Sequence, residues 1–151
     1  MGRQRIEHTA TTTADAATVY ALLRDGATWP TWSSLETFAL EREGADEPEG
    51  LGAVRVFRSG KVTGRDTIVE LAPERRFSYT HESSLPIKNY RADVDLTPTA
   101  GGTEIRWVSA FDPKIPGTGR LMRRGLDGFV AGLANGLAEH AAATQRAGST
   151  V

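Results

Sequence analysis

The sequence of 151 residues contains no cysteine, which excludes disulfides and thiolate metal sites. No stretch approaches about 18 consecutive apolar residues, the length that a membrane-spanning helix needs. The formal net charge is only -1, so the chain lacks the basic excess typical of nucleic-acid binding proteins. The opening residues MGRQRIEHTA also lack the apolar core of a signal peptide. We therefore expect a cytoplasmic protein with no membrane span and no nucleic-acid partner.

Motifs that identify a catalytic mechanism are also missing. Neither GxSxG nor a phosphate-binding glycine loop occurs, and His8, His81 and His140 do not have the spacing of metal ligands. We therefore expect no metal and no cofactor. Whether the protein is an enzyme stays open at this point, but an enzyme of this sequence would work without a metal.

What the chain does contain is a series of short alternating segments between two helical ones. Residues 5–12 predict a strand, and Thr13 is placed to cap a helix that stops near Gly26. From Leu35 onward, segments separated by turn residues predict a meander of six strands, the last two of which have one apolar and one polar face. A long helix is predicted over residues 118–143, and from about residue 145 a polar, frayed tail.

This order of elements predicts an α+β fold in a single domain, residues 1–151. About seven antiparallel strands would have only one substantial helix to cover their inner face, which leaves volume between sheet and helix. The last helix carries glycines at positions 125, 128, 132 and 136, although each costs about 1 kcal/mol relative to alanine in a helix interior. On a helical wheel they form a band beside the apolar stripe. This band favours either close packing of another backbone or space for a ligand.

Two stretches resemble a known superfamily, namely TADAATVYALLRDGATWPTW and RADVDLTPTAGGTEIRWVSAFDPKIPGTG. The first is similar to the opening of START-like (SRPBCC) proteins, and the second to the closing hairpin of their bacterial polyketide cyclase/dehydrase and lipid-transport branch. The resemblance implies a helix-grip fold, in which a seven-stranded antiparallel sheet wraps around a C-terminal helix and encloses an apolar cavity. It does not fix an activity, since such proteins include lipid carriers and aromatase/cyclases.

Candidate site residues lie on the later strands and on the last helix. Tyr79 and His81 are two apart and share a strand face with Phe77, and Tyr90 and Trp107 extend this face into an aromatic wall or into ordinary core. We assign Tyr79, His81 and Tyr90 as candidate proton donors or acceptors. The candidate ligand-binding residues are Trp32, Val56, Arg58, Trp107, Ser109, Phe111, Met122, Leu126, Phe129 and Leu133.

The sequence places most charged residues on the outer face of the sheet and leaves a few as candidates for binding a ligand or an anionic partner. Alternation with Ala92, Val94 and Leu96 places Asp93 and Asp95 outside. Most of the charged residues of the third and fourth strands, including Arg55 and Asp66, are also expected on the outer face. Arg58 would instead point inward as a ligand anchor if it shares an inner face with Val54 and Val56. The arginines at positions 120, 123 and 124 oppose the dipole at the start of the last helix, which favours a hydrated face or an anionic partner such as an acyl carrier protein or a membrane surface.

Three hypotheses of function follow from these observations. The first is a carrier that binds a small hydrophobic, lipid-like or polyketide-like molecule in the internal cavity. The second is a polyketide cyclase, aromatase or dehydratase that uses the cavity histidine and tyrosines for proton transfer. The third is a chaperone-like or regulatory interaction module that uses the outer face of the sheet. The sequence carries no signal for an oligomeric state.

Overall fold

The computed structural model, which describes residues 2–149, contains one antiparallel sheet of seven strands in the order β1-β7-β6-β5-β4-β3-β2. The sheet wraps around the long helix α3, so the α+β helix-grip fold predicted from the sequence is confirmed. The strands and helices are β1 (Gln4–Thr12), α1 (Ala16–Arg24), a 3-10 turn (Gly26–Thr28), α2 (Trp29–Trp32), β2 (Thr37–Arg42), β3 (Val54–Ser59), β4 (Val62–Ala72), β5 (Arg76–Ser83), β6 (Ile87–Thr99), β7 (Gly102–Pro113) and α3 (Gly119–Ser149).

Alternation along most of β6 and β7 gives the sheet one buried face. Every second residue from Tyr90 to Leu96 and from Thr103 to Phe111 is buried on the concave side, and the residues between them face outward. The turn between these strands ends at Gly102, which has a φ of 156°. A Cβ at this position would overlap the carbonyl oxygen of Thr12. The glycine therefore allows the hairpin to press against the end of β1.

The segment after β1 differs from the prediction in its capping residue. Asp15, not Thr13, caps α1, because its carboxylate accepts a hydrogen bond of 2.8 Å from the backbone N–H of Thr18. After α1, Trp29 is buried in the core, where its indole N–H donates to the carbonyl of Leu23 at 3.1 Å. Its ring stacks on Phe57 with centroids 5.3 Å apart. The two tryptophans of α2 thus fasten this connection to the sheet.

Helix α3 buries one face against the sheet and α1 and continues further than predicted. Its fully buried residues include Val130, Leu133 and Leu137. The helix runs through residues 145–149, where the sequence predicts a frayed tail, and the last two positions of that prediction, 150 and 151, lie outside the described residues. No helix within residues 2–149 is long and apolar enough to cross a membrane.

The four glycines of α3 do not share one role. Only Gly136 packs closely, since a Cβ there would overlap the backbone carbonyl oxygen of Trp32. A Cβ at Gly125, Gly128 or Gly132 would meet nothing within 4 Å, and all three positions are exposed on the outside of the helix. The suggestion that the glycine band opens space for a ligand is therefore wrong for these three positions, because the band faces solvent and not the interior.

Candidate functional site

A cavity of about 180 Å³, partly open to solvent, lies between the concave face of the sheet and the first half of α3. Its walls are mostly apolar and come from β3, β4, β5, β6, the loop before β6 and three residues of α3. The lining residues are Trp29, Leu35, Phe57, Ser59, Val62, Gly64, Asp66, Tyr79, His81, Leu85, Ile87, Tyr90, Leu126, Phe129 and Leu133. The cavity thus lies on the concave side of the sheet, facing α3.

Six of the candidate site residues line this cavity. They are Tyr79, His81, Tyr90, Leu126, Phe129 and Leu133. Five others lie in the surrounding core and do not line it: Trp32, Trp107, Ser109 and Phe111 are buried, and Met122 is partly buried against the core. Phe111 stacks on the ring of Tyr90 with centroids 6.0 Å apart. Phe111 therefore packs against a lining residue without lining the cavity itself.

Val56 and Arg58 lie on the opposite face of the sheet, which corrects their assignment to the ligand site. Together they line a shallow outer groove. The sequence of β3, VRVFRS, has apolar residues on both faces, so alternation alone does not say which face is inward. Phe57 decides the question by packing on Trp29. Because side chains alternate along a strand, Arg55 is the arginine that points inward and Arg58 points to solvent.

A line of polar side chains crosses the concave face at one level of the sheet. Arg55 pairs in register with Asp66, Asp66 with His81, and His81 with Tyr90. We call these four residues the polar row. His81 Nδ1 lies 2.6 Å from Asp66 Oδ1, and the Tyr90 hydroxyl donates to Ser109 Oγ at 2.8 Å. The expectation that Arg55 and Asp66 face outward is wrong, since both are buried.

The buried Arg55 forms the end of the polar row away from the cavity. Its guanidinium donates to the carbonyls of Leu23 and Arg24 at 2.9 and 2.6 Å, and its Nε lies 2.9 Å from a carboxylate oxygen of Glu49. Burial lowers the pKa of Arg55, while the charges of Glu49 and Asp66 oppose that shift. Arg55 therefore joins the end of α1 to the sheet and places positive charge on the side of Asp66 away from His81.

Burial has a different consequence for the two cavity tyrosines. It raises the pKa of Tyr79 well above its ordinary value and also raises the pKa of Tyr90, because desolvation disfavours the phenolate. Both phenols therefore stay protonated near neutral pH and cannot serve as bases. Of the three candidate proton-transfer residues, only His81 carries a group that can accept a proton there.

Gly64 makes room for the imidazole of His81. It lies on β4 beside His81, and a Cβ at this position would come within 2.5 Å of His81 Cε1. Any other residue would push the ring out of its place in the cavity wall. The position of His81 is thus set on one side by the hydrogen bond to Asp66 and on the other by the missing side chain of Gly64.

Comparison with known proteins assigns the chain to a family. A sequence model described as polyketide cyclase/dehydrase and lipid transport matches residues 3–142. The chain belongs to this family. A search of curated proteins finds no match to it.

Solved structures similar to this cyclase/dehydrase family member share its fold over most of their length. A START superfamily protein from Mycobacterium smegmatis has 13% identity and a TM-score of 0.78, covering 93% of this chain and 97% of that one. The Zhui aromatase/cyclase from Streptomyces has 16% identity and a TM-score of 0.74, with 93% and 94% covered. A protein from Thermobifida fusca has 26% identity and a TM-score of 0.74, with 91% and 92% covered.

Outside the cavity, the charged groups of this family member are organised in two ways. Asp93 and Asp95 face outward as predicted, where Asp95 accepts two hydrogen bonds from Arg76 at 2.6 and 3.1 Å and Asp93 accepts one from Ser78 at 2.6 Å. The arginines at positions 120, 123 and 124 are exposed along an outer groove that also includes Gln4 and Asp127. Within residues 2–149, no group of three or more His, Asp and Glu side chains is arranged to hold a metal ion.

Proposed function

We propose that the protein is a single ligand-binding domain that holds a compact hydrophobic molecule between its sheet and α3. The observation that carries this proposal is the apolar cavity of about 180 Å³. An apolar cavity of about 150 Å³ is enough to bind benzene in another protein, whereas pockets for drug-sized ligands occupy about 300–1,000 Å³. The volume therefore fits a molecule with one ring and its substituents. An extended lipid or a full polyketide chain exceeds this volume.

The partly buried Leu126 allows a direct test. Leu126→Trp is expected to fill part of the cavity, because its side chain lines the wall. Leu121→Trp is the matched control, since Leu121 lies on the same helix but is 68% exposed. Titration with toluene by calorimetry should show binding by the native protein and by Leu121→Trp, and weaker or no binding by Leu126→Trp.

A thermal shift gives a second readout of the same binding. Toluene at 100 times its dissociation constant should stabilise the native protein by about 2.7 kcal/mol. Failure of toluene and other single-ring compounds to bind or stabilise the native protein would contradict the proposal. Equal binding by both tryptophan variants would place the ligand somewhere other than this cavity.

A second candidate function is proton transfer of the polyketide cyclase or dehydratase type, and the pairing of His81 with Asp66 favours it. In this role His81 takes a proton from the carbon next to a carbonyl of the bound substrate, and Asp66 stabilises the imidazolium that forms. Tyr79 and Tyr90 would act only as hydrogen-bond donors or as walls of the site, because burial keeps their phenols protonated.

The proton-transfer function predicts exchange of an acidic C–H for C–D. A single-ring aryl ketone in deuterium oxide should lose its α-proton signal in NMR faster with the native protein than with His81→Phe. The control is His8→Phe, which removes an imidazole that is also bound to an aspartate, Asp127, at 3.0 Å but does not line the cavity. Equal exchange rates with and without His81 would exclude this role.

A further inference from the structure

Among the polar side chains that line the cavity, His81 offers a ligand a hydrogen-bond acceptor on its ring. His81 uses Nδ1 to contact Asp66 Oδ1 at 2.6 Å. An ionised carboxylate only accepts hydrogen bonds, so with Asp66 ionised the proton lies on Nδ1, and in the neutral ring Nε2 then presents its lone pair. Tyr90, whose ring lies beside the imidazole of His81, donates its hydroxyl hydrogen bond to Ser109 Oγ. Nε2 is therefore the ring nitrogen that remains to receive a proton donor from a molecule in the cavity.

The surroundings of Asp66 hold this arrangement in place. Asp66 is buried in the cavity wall, with its carboxylate between the imidazole and the Arg55 position on the neighbouring strand. Gly64 leaves space for the imidazole, since a Cβ would come within 2.5 Å of it. A side chain that is fixed by a hydrogen bond and by packing loses less freedom when a ligand binds. The polar row thus preorganises His81 as a hydrogen-bond acceptor.

The charge of Asp66 also limits which ligands fit. Asp66 places a negative charge in the cavity wall, and its buried positive neighbour Arg55 is already paired with Glu49. A carboxylate ligand would bring a further negative charge into an apolar cavity beside Asp66, at a high desolvation cost. A neutral hydroxyl carries no such cost, and it can donate its proton to Nε2. An apolar ligand without a hydroxyl would leave Nε2 unpaired.

We propose that the ligand is an uncharged, single-ring hydrophobic molecule with one acidic hydroxyl, a phenol or an enol, whose O–H donates to Nε2 of His81. This inference rests on the proposed binding function and names the chemistry of its ligand. Asp66 also lines the cavity, and we assign it as a positioning residue because its carboxylate holds the proton on Nδ1 of His81. Leu126 and Phe129 of α3 cover the ring from the opposite side.

The test compares p-cresol with toluene, which differ only by the hydroxyl. By calorimetry at pH 7, where a phenol stays neutral, the native protein should bind p-cresol roughly three- to tenfold more tightly, as a net hydrogen bond of about 0.5–1.5 kcal/mol implies. Benzoate, of similar size but charged, should bind more weakly than p-cresol. In His81→Phe the preference should vanish or reverse while toluene still binds. His8→Phe, which alters the histidine–aspartate pair outside the cavity, should keep the native preference.

Two further variants separate positioning from mere folding. Gly64→Ala should reduce the preference by displacing the imidazole, which keeps the test decisive if His81→Phe fails to fold. Asp66→Asn should lower p-cresol affinity more than toluene affinity. It should also change the ring ¹⁵N shifts of His81 in NMR, because the amide no longer enforces a proton on Nδ1. Unchanged ¹⁵N shifts would exclude Asp66 as the positioning residue.

The possible outcomes distinguish the two proposals. If toluene and p-cresol both bind the native cavity with equal affinity, the hydroxyl assignment is overturned while the binding function stands. A p-cresol preference that survives both His81→Phe and Gly64→Ala also overturns it. If neither compound binds the native protein, the binding function itself fails, and the inference fails with it.

Discussion

The contrast between Gly136 and Gly132 gives the sharpest test of how α3 packs. At Gly136 a Cβ would overlap the backbone carbonyl oxygen of Trp32, whereas at Gly132 it would meet nothing within 4 Å. Both glycines lie inside the same helix, so both gain about 1 kcal/mol of helix propensity on substitution by alanine. The two substitutions therefore differ only in what the new methyl group touches.

Gly132→Ala should raise the free energy of unfolding by up to about 1 kcal/mol. Gly136→Ala should lower it, because a carbonyl oxygen of the backbone cannot rotate away, and overpacking of this kind costs about 1–3 kcal/mol. For a chain of this length, 1 kcal/mol corresponds to a melting shift of about 2–4 °C. The two variants should thus move the melting temperature in opposite directions.

Urea unfolding followed by tryptophan fluorescence measures both effects, since Trp29 and Trp32 are buried next to the contact. Gly125→Ala and Gly128→Ala serve as further controls, because their Cβ positions are also open. The reasoning is refuted if Gly136→Ala stabilises the protein as much as Gly132→Ala does. That result would mean that α2 moves freely relative to α3 and that Gly136 has no packing role.

Two further predictions concern buried polar groups. Arg55→Met should destabilise the fold by about 3–5 kcal/mol in urea unfolding, because it leaves the buried Asp66 without its neighbouring cation and the carbonyls of Leu23 and Arg24 without their donor; a loss below about 1 kcal/mol would contradict this. The raised pKa of Tyr79 and of Tyr90 means that the unfolded chain releases these protons first, so stability should fall as pH rises above about 10. Ultraviolet titration should then show these two phenols ionising only beyond the ordinary range or on unfolding, and ordinary titration of both in the folded state would contradict the assignment.

Local patterns predicted the fold because the long strands β6 and β7 each have one clear apolar face. In β7 from Thr103 to Phe111, and in β6 from Tyr90 to Leu96, the buried positions alternate without a break, so period-two spacing is enough to orient them. The same spacing placed Tyr79 and His81 together on the concave face. The helix boundary at Asp15 was missed because Thr13 and Asp15 are both good capping residues, and only the backbone geometry selects between them.

The polar row was harder to predict because its residues come from four strands. In β3, apolar residues occupy positions 54, 56 and 57, so the alternation does not tell whether Arg55 or Arg58 faces inward. Asp66 follows Arg65 in a strand whose apolar positions are similarly mixed. Their placement depends on strand register, which is set by the hairpins and by the packing of Phe57 on Trp29. One signal was present, since Gly64 interrupts β4 two residues before Asp66, and a glycine within a strand often marks a close approach.

The energetics of the polar row allow a final test of whether it exists for the ligand or for the fold. Burying Asp66 and His81 together costs desolvation, and replacing a buried ionic pair with apolar side chains is often neutral or stabilising by about 1–4 kcal/mol. The double variant Asp66→Leu with His81→Phe should therefore be at least as stable as the native protein in urea unfolding, because Arg55 keeps its contact with Glu49. It should also bind toluene but no longer prefer p-cresol. A double variant that loses several kcal/mol would show that the pair supports the sheet, and its position in the cavity wall would then follow from packing and not from ligand recognition.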